Sequence, residues 1–356
     1  MRRALALARK GEGLTRPNPP VGAVVVRRGR LVGEGYHRKA GGPHAEVLAM
    51  RKAGAQAKGA TLYVTLEPCS TWGRTPPCTE AILSAGIRRL VVAASDPNPK
   101  HAGHGLDLLR KKGLTVTEGV GQAEALRLLA PFSKWITTQR PLVTLKLGMT
   151  LDGRLADGKG CSRWITGPVS RKQVHLLRQR VDGVLIGRGT AAADNPSLLP
   201  VPSHGRRPYR IVLDSRGRIS LRSRLFTDGQ PRQTIVATSA KSPLRYRQRL
   251  QAKGVEVLVL PAGPGGLRLD SLMAELGRLG LMHVLCEGGG RLAGALLQQD
   301  LVDEGWFFIA PRLLGDQGVP ALGGVSWSLA QAPSLTFTAV EQMGDDVLIK
   351  AVRKES

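Results

Sequence analysis

The 356-residue chain is short of acid, of aromatic rings and of cysteine. It holds 52 Lys and Arg against 27 Asp and Glu, a formal net charge of +25. Phe, Trp and Tyr make up 4% of it, and there are four cysteines, Cys69, Cys78, Cys161 and Cys286. Each shortage excludes something. So few cysteines in a chain of this length do not build a disulfide scaffold. The longest apolar runs, such as Val21–Val26 and Leu90–Ala94, are strand-sized. A membrane-spanning helix needs roughly 18–20 apolar residues. The segment Met1–Lys10 has charge at both ends and a short apolar middle. It reads as the first amphipathic helix of a cytosolic protein rather than as a signal peptide.

What is present is enough apolar material, 42% of the residues, for the cores of two ordinary domains. The positive charge is uneven. Residues 1–58 hold 13 Lys and Arg with 3 acids, and residues 203–253 hold 13 with 2. Such stretches suit phosphorylated ligands, or they are simply a solvated surface.

Residues 1–140 alternate short β-like runs with helical ones. Strands are expected at Val21–Val26, Arg30–Gly35, Thr61–Leu66, Arg88–Ala94 and Leu114–Glu118. Helices are expected at Ala45–Ala53, Pro77–Ala85, Leu106–Lys112 and Gln122–Thr138. This alternation predicts a largely parallel sheet with helices on both faces. Gln139-Arg140-Pro141 marks a boundary, and a second α/β pattern fills residues 141–356. Its expected strands are Leu142–Leu147, Gly183–Gly187, Arg210–Leu213, Gln233–Thr238, Val255–Leu260 and His283–Cys286. Its expected helices are Ser170–Arg180, Leu269–Leu279 and Arg291–Gln299.

Chemistry concentrates in the first half. His44-Ala45-Glu46 is followed by Pro68-Cys69 and then Cys78. One imidazole and two thiols suit zinc, and three protein ligands leave the open position of a catalytic site. Glu46 then serves as a proton shuttle, the arrangement of zinc-dependent nucleobase deaminases. Both metal-bearing segments fall where a strand hands over to a helix, and helix N-termini favour the thiolates of Cys69 and Cys78. The eight residues between the cysteines exceed the usual Cys-x-x-Cys spacing. The thirteen residues from Leu66 to Cys78 are a polar, Gly- and Pro-punctuated loop, a poor place for core cysteines. In the second half, Glu287-Gly288-Gly289-Gly290 follows a strand and opens a helix. Its backbone N–H groups suit a phosphate. No Gly-x-Gly-x-x-Gly follows the first strand there.

These motifs, with Pro17-Asn18-Pro19-Pro20-Val21-Gly22, Gly33-Glu34-Gly35-Tyr36-His37 and Asp96-Pro97-Asn98-Pro99, resemble the bifunctional deaminase/reductase family of riboflavin biosynthesis. In that family the long cysteine spacing is normal. The resemblance runs through most of residues 1–315. It implies a three-layer, cytidine-deaminase-like domain at 1–140 and a dihydrofolate-reductase-like domain at 141–356. It implies Zn2+ on His44, Cys69 and Cys78, with Glu46 catalytic and Asn18 against the base. In the second domain it implies NADPH contacts from Gly148, Trp164, Thr190, Asp194, Gly289 and Gly290. Substrate contacts would come from Ser162, Arg178, Leu198 and Glu287.

The implied partner is a small phosphorylated pyrimidine, handled by a cytoplasmic homo-oligomer with no membrane contact and no nucleic-acid partner. This chain departs from the family at Thr71-Trp72, where two histidines are common, and at Val201, where an arginine is. Two rival readings stand beside it. One is a zinc deaminase of another base, for which a reductase half is superfluous. The other is a basic nucleic-acid binder with a structural zinc, which would want a fourth protein ligand.

Overall fold

In a computed structural model of the chain, residues 1–354 are described, apart from 74, 100, 203–205 and 264. Arg74 of the cysteine loop therefore lies outside the described residues. The chain forms two compact units, Met1–Arg140 and Pro141–Ser356.

In the first unit the order is α1 (Arg2–Ala8), β1 (Gly22–Arg27), β2 (Arg30–Tyr36), α2 (Ala45–Ala53), β3 (Thr61–Val64), α3 (Cys78–Ser84), β4 (Arg89–Val92), α4 (His104–Lys111), β5 (Thr115–Thr117) and α5 (Gln122–Thr138). The sheet runs β2-β1-β3-β4-β5. The expectation of a largely parallel sheet needs correcting. The pairs β3–β4 and β4–β5 are parallel, but β1 is antiparallel to both β2 and β3. The cause is the turn at Arg28 and Gly29, both at positive φ (49° and 76°). That geometry closes a tight hairpin, and α2 then returns the chain to the free side of β1.

Helix α2 lies very close to the hairpin. A Cβ on Gly33 would sit 2.1 Å from the Ala49 carbonyl, and one on Gly35 2.5 Å from the Leu48 Cβ. Ala45, Ala49 and Ala53 on α2 pack with Val25, Leu62, Val64, Leu90 and Ile82. The opposite face is covered by Leu5, Ala125 and Leu129 of α1 and α5. The three-layer α/β arrangement follows, with the start of α2 held rigidly at the sheet's end.

In the second unit the elements are β6 (Leu142–Thr150), β7 (Arg154–Ala156), α6 (Pro168–Arg180), β8 (Gly183–Gly187), α7 (Arg188–Asp194), β9 (Tyr209–Leu213), α8 (Arg224–Thr227), β10 (Thr234–Thr238), α9 (Leu244–Ala252), β11 (Glu256–Val259), β12 (Ala262–Gly263), β13 (Gly266–Leu267), α10 (Leu269–Arg278), β14 (His283–Cys286), α11 (Gly290–Gln298), β15 (Glu304–Ala310), β16 (Val319–Pro320), β17 (Leu335–Met343) and β18 (Asp346–Arg353). The main sheet is ordered β11-β10-β9-β8-β14-β6-β15-β18-β17. It is parallel from β11 to β15. An antiparallel hairpin, β17 and β18, finishes it beside β15.

One face is packed by α10 and α11 through Leu272, Leu276, Ala293 and Leu296. The other takes Leu177 of α6, Leu225, Phe226 and Leu250. Both faces of β14 are thereby buried, and the residue after it, Glu287, emerges at the carboxyl ends of the parallel strands. Open α/β sheets place their ligands at that edge.

Candidate active sites

In the first unit His44 is the residue that precedes α2, in extended conformation (φ −72°, ψ 161°). Glu46 sits in the first turn of that helix. Cys78 opens α3, behind Pro77, and Cys69 lies in the loop between β3 and α3. The candidate donor atoms of His44, Cys69 and Cys78 all lie within 4.8 Å of one another. The Nδ1 atom of His44 is 3.1 Å from Cys78 Sγ and 3.5 Å from Cys69 Sγ. Its other ring nitrogen is 3.3 Å from Thr75 Oγ1, the outer bond that orients a metal-binding imidazole.

Cys69 was expected at a helix N-terminus, and it is not on a helix. Instead the N–H of Cys78 donates to its sulfur at 3.3 Å, so α3 serves both cysteines. The Cys69 thiol is held down to about 4, first by its bond with Cys78, against burial, and then by His44. Cys78 is pushed up, first by Cys69 and then by burial. The Cys78 N–H and the His44 ring thus both favour a thiolate at Cys69. One imidazole and two soft sulfurs, with no fourth protein donor grouped with them among the described residues, fit zinc with an open position.

Glu46 is 4% exposed, and burial pushes its carboxyl up. It lines a cleft of about 400 Å³ with His44, Cys69, Asn18, His37 and Asp96, walled by Phe132 and Trp135 of α5. A buried carboxyl of raised pKa beside the three candidate metal ligands suits proton transfer. Thr71, where the family often has histidine, lines the same cleft and lies 3.5 Å from the ring of His101. Sequence reasoning gave Glu67 no role. Its carboxylate accepts the N–H groups of Asp96, Gly103, Gly105 and Leu106. It thereby fixes the loop that carries Asp96 and Asn98 into the cleft.

In the second unit the expected residues meet in groups. Arg178, in the last turn of α6, forms a two-pronged ion pair with Glu287, at 2.6 and 2.9 Å. Burial alone would raise the Glu287 carboxyl, but Arg178 and then Lys146 hold it below its ordinary value. Lys146 of β6, unassigned in the sequence reading, is itself lowered by burial, with Glu287 opposing.

The N–H of Gly289, just before α11, donates to Thr190 Oγ1 at 3.2 Å. A Cβ on Gly290 would lie 2.3 Å from the Pro320 carbonyl, so only glycine lets α11 start there. A Cβ on Gly148 would lie 3.5 Å from Thr166. Arg163 donates to the Asp194 carbonyl at 2.7 Å. Trp164 is 62% exposed beneath the Arg171 guanidinium, 4.4 Å from its ring centre. Ser162 is half-buried at a turn closed by the Ile165 N–H. The side chain of Leu198 is in the core, so any ligand contact from it falls to its backbone, held at φ 62°. These backbone N–H groups and cations fit an anionic dinucleotide.

Residues 141–349 match the family profile described as RibD C-terminal domain. Residues 1–94 match the cytidine and deoxycytidylate deaminase zinc-binding region. The riboflavin biosynthesis protein RibD of Aquifex aeolicus is 44% identical over 352 residues, covering 98% of this chain and 96% of the relative.

The chain belongs to the RibD family.

Among solved structures, RibD of Acinetobacter baumannii superimposes with a TM-score of 0.89 at 37% identity, covering 99% of this chain and 97% of that one. A Thermotoga maritima structure, titled a diaminohydroxyphosphoribosylaminopyrimidine deaminase/5-amino-6-(5-phosphoribosylamino)uracil reductase, gives 0.88 at 36% with the same coverage. RibD proteins are bifunctional enzymes of riboflavin biosynthesis, and this chain carries both the zinc-binding deaminase domain and the NADPH-dependent RibD reductase domain. Among the described residues no helix is long and apolar enough to cross a membrane.

Proposed function

We propose that residues 1–140 convert 2,5-diamino-6-(5-phosphoribosylamino)pyrimidin-4(3H)-one to 5-amino-6-(5-phosphoribosylamino)uracil, and that residues 141–356 reduce its ribosyl group to ribityl. The observation that carries the reading is the convergence of His44, Cys69, Cys78 and Glu46 in one cleft, in a chain whose second unit is a RibD reductase domain. The enzyme is cytoplasmic and self-associating, and its ligands are small phosphorylated pyrimidines rather than nucleic acid.

His44, Cys69 and Cys78 would hold zinc, whose Lewis acidity makes water a nucleophile near neutral pH. Glu46 does the proton work. It takes a proton from the attacking water and gives it to the ring nitrogen beside C2. It then assists the amine at C2 to leave as ammonia, so that water enters and ammonia departs. Asn18 contacts the base.

In the reductase, bound NADPH would supply the hydride that reduces C1′ of the ring-opened imine, with a proton going to the imine nitrogen. Gly148, Trp164, Thr190, Asp194, Gly289 and Gly290 would hold the cofactor. Ser162, Arg178, Leu198 and Glu287 would hold the substrate. Much of the rate comes from fixing the two reactants together.

Purified protein should carry about one zinc per chain, release ammonia from the diaminopyrimidine, and oxidise NADPH only once the deaminated product is present. Glu46→Gln should keep the zinc and lower ammonia release by about a thousandfold or more. A variant that deaminates normally refutes the role of Glu46.

A further inference from the structure

Behind Asn18 the deaminase cleft contains a hydrogen-bonded chain whose other members the chemistry above leaves unused. Asn18 Nδ2 is 3.1 Å from His37 Nε2, and His37 Nδ1 is 3.1 Å from the carbonyl oxygen of Pro43. His37 is 2% exposed, and its backbone N–H donates to the Val21 carbonyl. Asn18 is pinned from the other side. Its N–H donates to the Thr15 carbonyl, and its own carbonyl accepts from Thr15 Oγ1 at 2.8 Å. Both Asn18 and His37 line the cleft beside His44 and Glu46.

The chemistry of this chain has a direction. A carbonyl only accepts, so the proton of the His37 ring sits on Nδ1. Nε2 of the neutral ring then carries a lone pair, and it must accept. The atom of Asn18 that meets it must be the NH2 group rather than the oxygen. Asparagine amides are otherwise ambiguous about which end is which, and here His37 settles the matter. The Oδ1 atom of Asn18 is left as the free end of the amide, and none of its hydrogen bonds is to a protein donor among the described residues.

We infer that His37 is a positioning residue of the deaminase, fixing the amide of Asn18 so that its Oδ1 is presented to the base as an acceptor. The inference rests on the deaminase reading above. It adds a specificity rule for that atom: the group that meets Oδ1 of Asn18 must be an N–H donor, and the 2,5-diaminopyrimidinone has such donors. A base with only a lone pair at that edge would meet oxygen with no proton between them, and would be rejected.

The tautomer is measurable without turnover. In the zinc-loaded intact protein, the 15N shifts of the His37 ring at neutral pH should show Nδ1 protonated and Nε2 bare. A proton on Nε2 overturns the inference, whatever the enzyme turns over. Kinetics supply the second arm. Asn18→Ala and His37→Ala should each raise KM for the diaminopyrimidine about tenfold, the scale of one buried hydrogen bond. The kcat and zinc content should stay close to those of the parent protein. Because the two act through one contact, the double variant should be no worse than Asn18→Ala.

His37→Gln offers an acceptor to Asn18 and a donor to Pro43, and should restore KM to within about threefold of the parent value. That rescue separates positioning from a general loss of fold. Fully additive effects of the two alanines, or a His37→Gln variant as poor as His37→Ala, would overturn the inference. If the parent protein releases no ammonia at all, the deaminase reading fails, and the nitrogen shifts still decide the tautomer.

Discussion

The two units solve the same problem, holding a reactive group against a small ligand, in opposite ways. The first gathers its metal-binding and proton-transfer chemistry into few residues close in sequence, between His44 and Cys78. Its donors are side chains whose identity is the function. The second disperses its site from Gly148 to Gly290, and half of it is backbone: the Gly289 N–H, the start of α11, the strained loop at Leu198. Its one strongly chemical element, the Arg178–Glu287 pair, joins residues 109 apart in the chain. A donor set survives any surroundings that bring the donors together. A backbone site depends on the whole sheet edge being right.

The contrast predicts that the reductase is the more fragile half. The sharpest test is Glu287→Gln. Arg178 and Glu287 are both largely buried, and removing one charge strands the other. Breaking such a pair costs about 3–5 kcal/mol. NADPH oxidation should be lost and the reductase unit should unfold at lower temperature, while ammonia release persists with its original heat stability. Equal loss of both activities would show that the units are not independent in the way their separate cores suggest.

The same contrast explains what could be read in advance. The strands Gly183–Gly187 and His283–Cys286 and the helix Gln122–Thr138 fall where periodicity put them. The two strands are short, continuous apolar runs, and the helix spans seventeen residues with its buried positions on one side. The antiparallel direction of β1 within the sheet was not legible, because strand–helix alternation does not say on which side of the leading hairpin the next strand pairs. Helix α9 went unseen because only Leu250 of its nine residues is buried, leaving no apolar stripe. The final hairpin was missed for a related reason: most of β17 is exposed at the sheet's edge.

At the sites, residues whose type announces their chemistry were found: His44, Cys69, Cys78, Glu46. Residues whose role is to accept backbone N–H groups were not. Glu67 is one, and Asp346, which accepts the Gly167 N–H and the Ser170 hydroxyl at the start of α6, is another. A carboxylate aimed at distant amides leaves no period in the sequence.

A second test sharpens the difference through pH. His283, at the opposite end of β14 from Glu287, is brought down to about 4 by burial. Its ring bonds Thr144 at 2.7 Å. Glu304, 3.8 Å away, is itself raised, first by burial, with the Thr144 hydroxyl opposing. An unfolded histidine titrates near 6.5. As pH falls, the unfolded chain therefore takes up this proton first. The stability that neutral His283 contributes is present above about 6.5 and is lost on the way to 4, roughly 3 kcal/mol in all. Urea midpoints at pH 7 and pH 4.5, followed by loss of NADPH oxidation on return to pH 7, should differ more in the parent protein than in His283→Gln. An unchanged difference would show that other groups carry the acid sensitivity of this unit.

The smallest expected effect probes the robust half. Each carboxylate oxygen of Glu67 accepts two backbone N–H groups, those of Asp96 and Gly103 on one, those of Gly105 and Leu106 on the other. In Glu67→Gln one oxygen becomes an NH2 group that cannot accept. Two N–H groups then face a donor, and the loss is about 2 kcal/mol, or roughly 5 °C in the melting of this unit. Zinc content should not change, since His44 and Cys78 sit at the starts of α2 and α3 and Cys69 is tied to the Cys78 N–H, none of them on the 96–106 segment that Glu67 ties. The KM for the pyrimidine should rise, because Asp96 and Asn98 ride on that loop and line the cleft. Retained metal with weakened substrate binding is the signature of a donor set that stands apart from its specificity loop. If zinc is lost as well, the first unit depends on its loop as fully as the second depends on its sheet edge, and the contrast between them disappears.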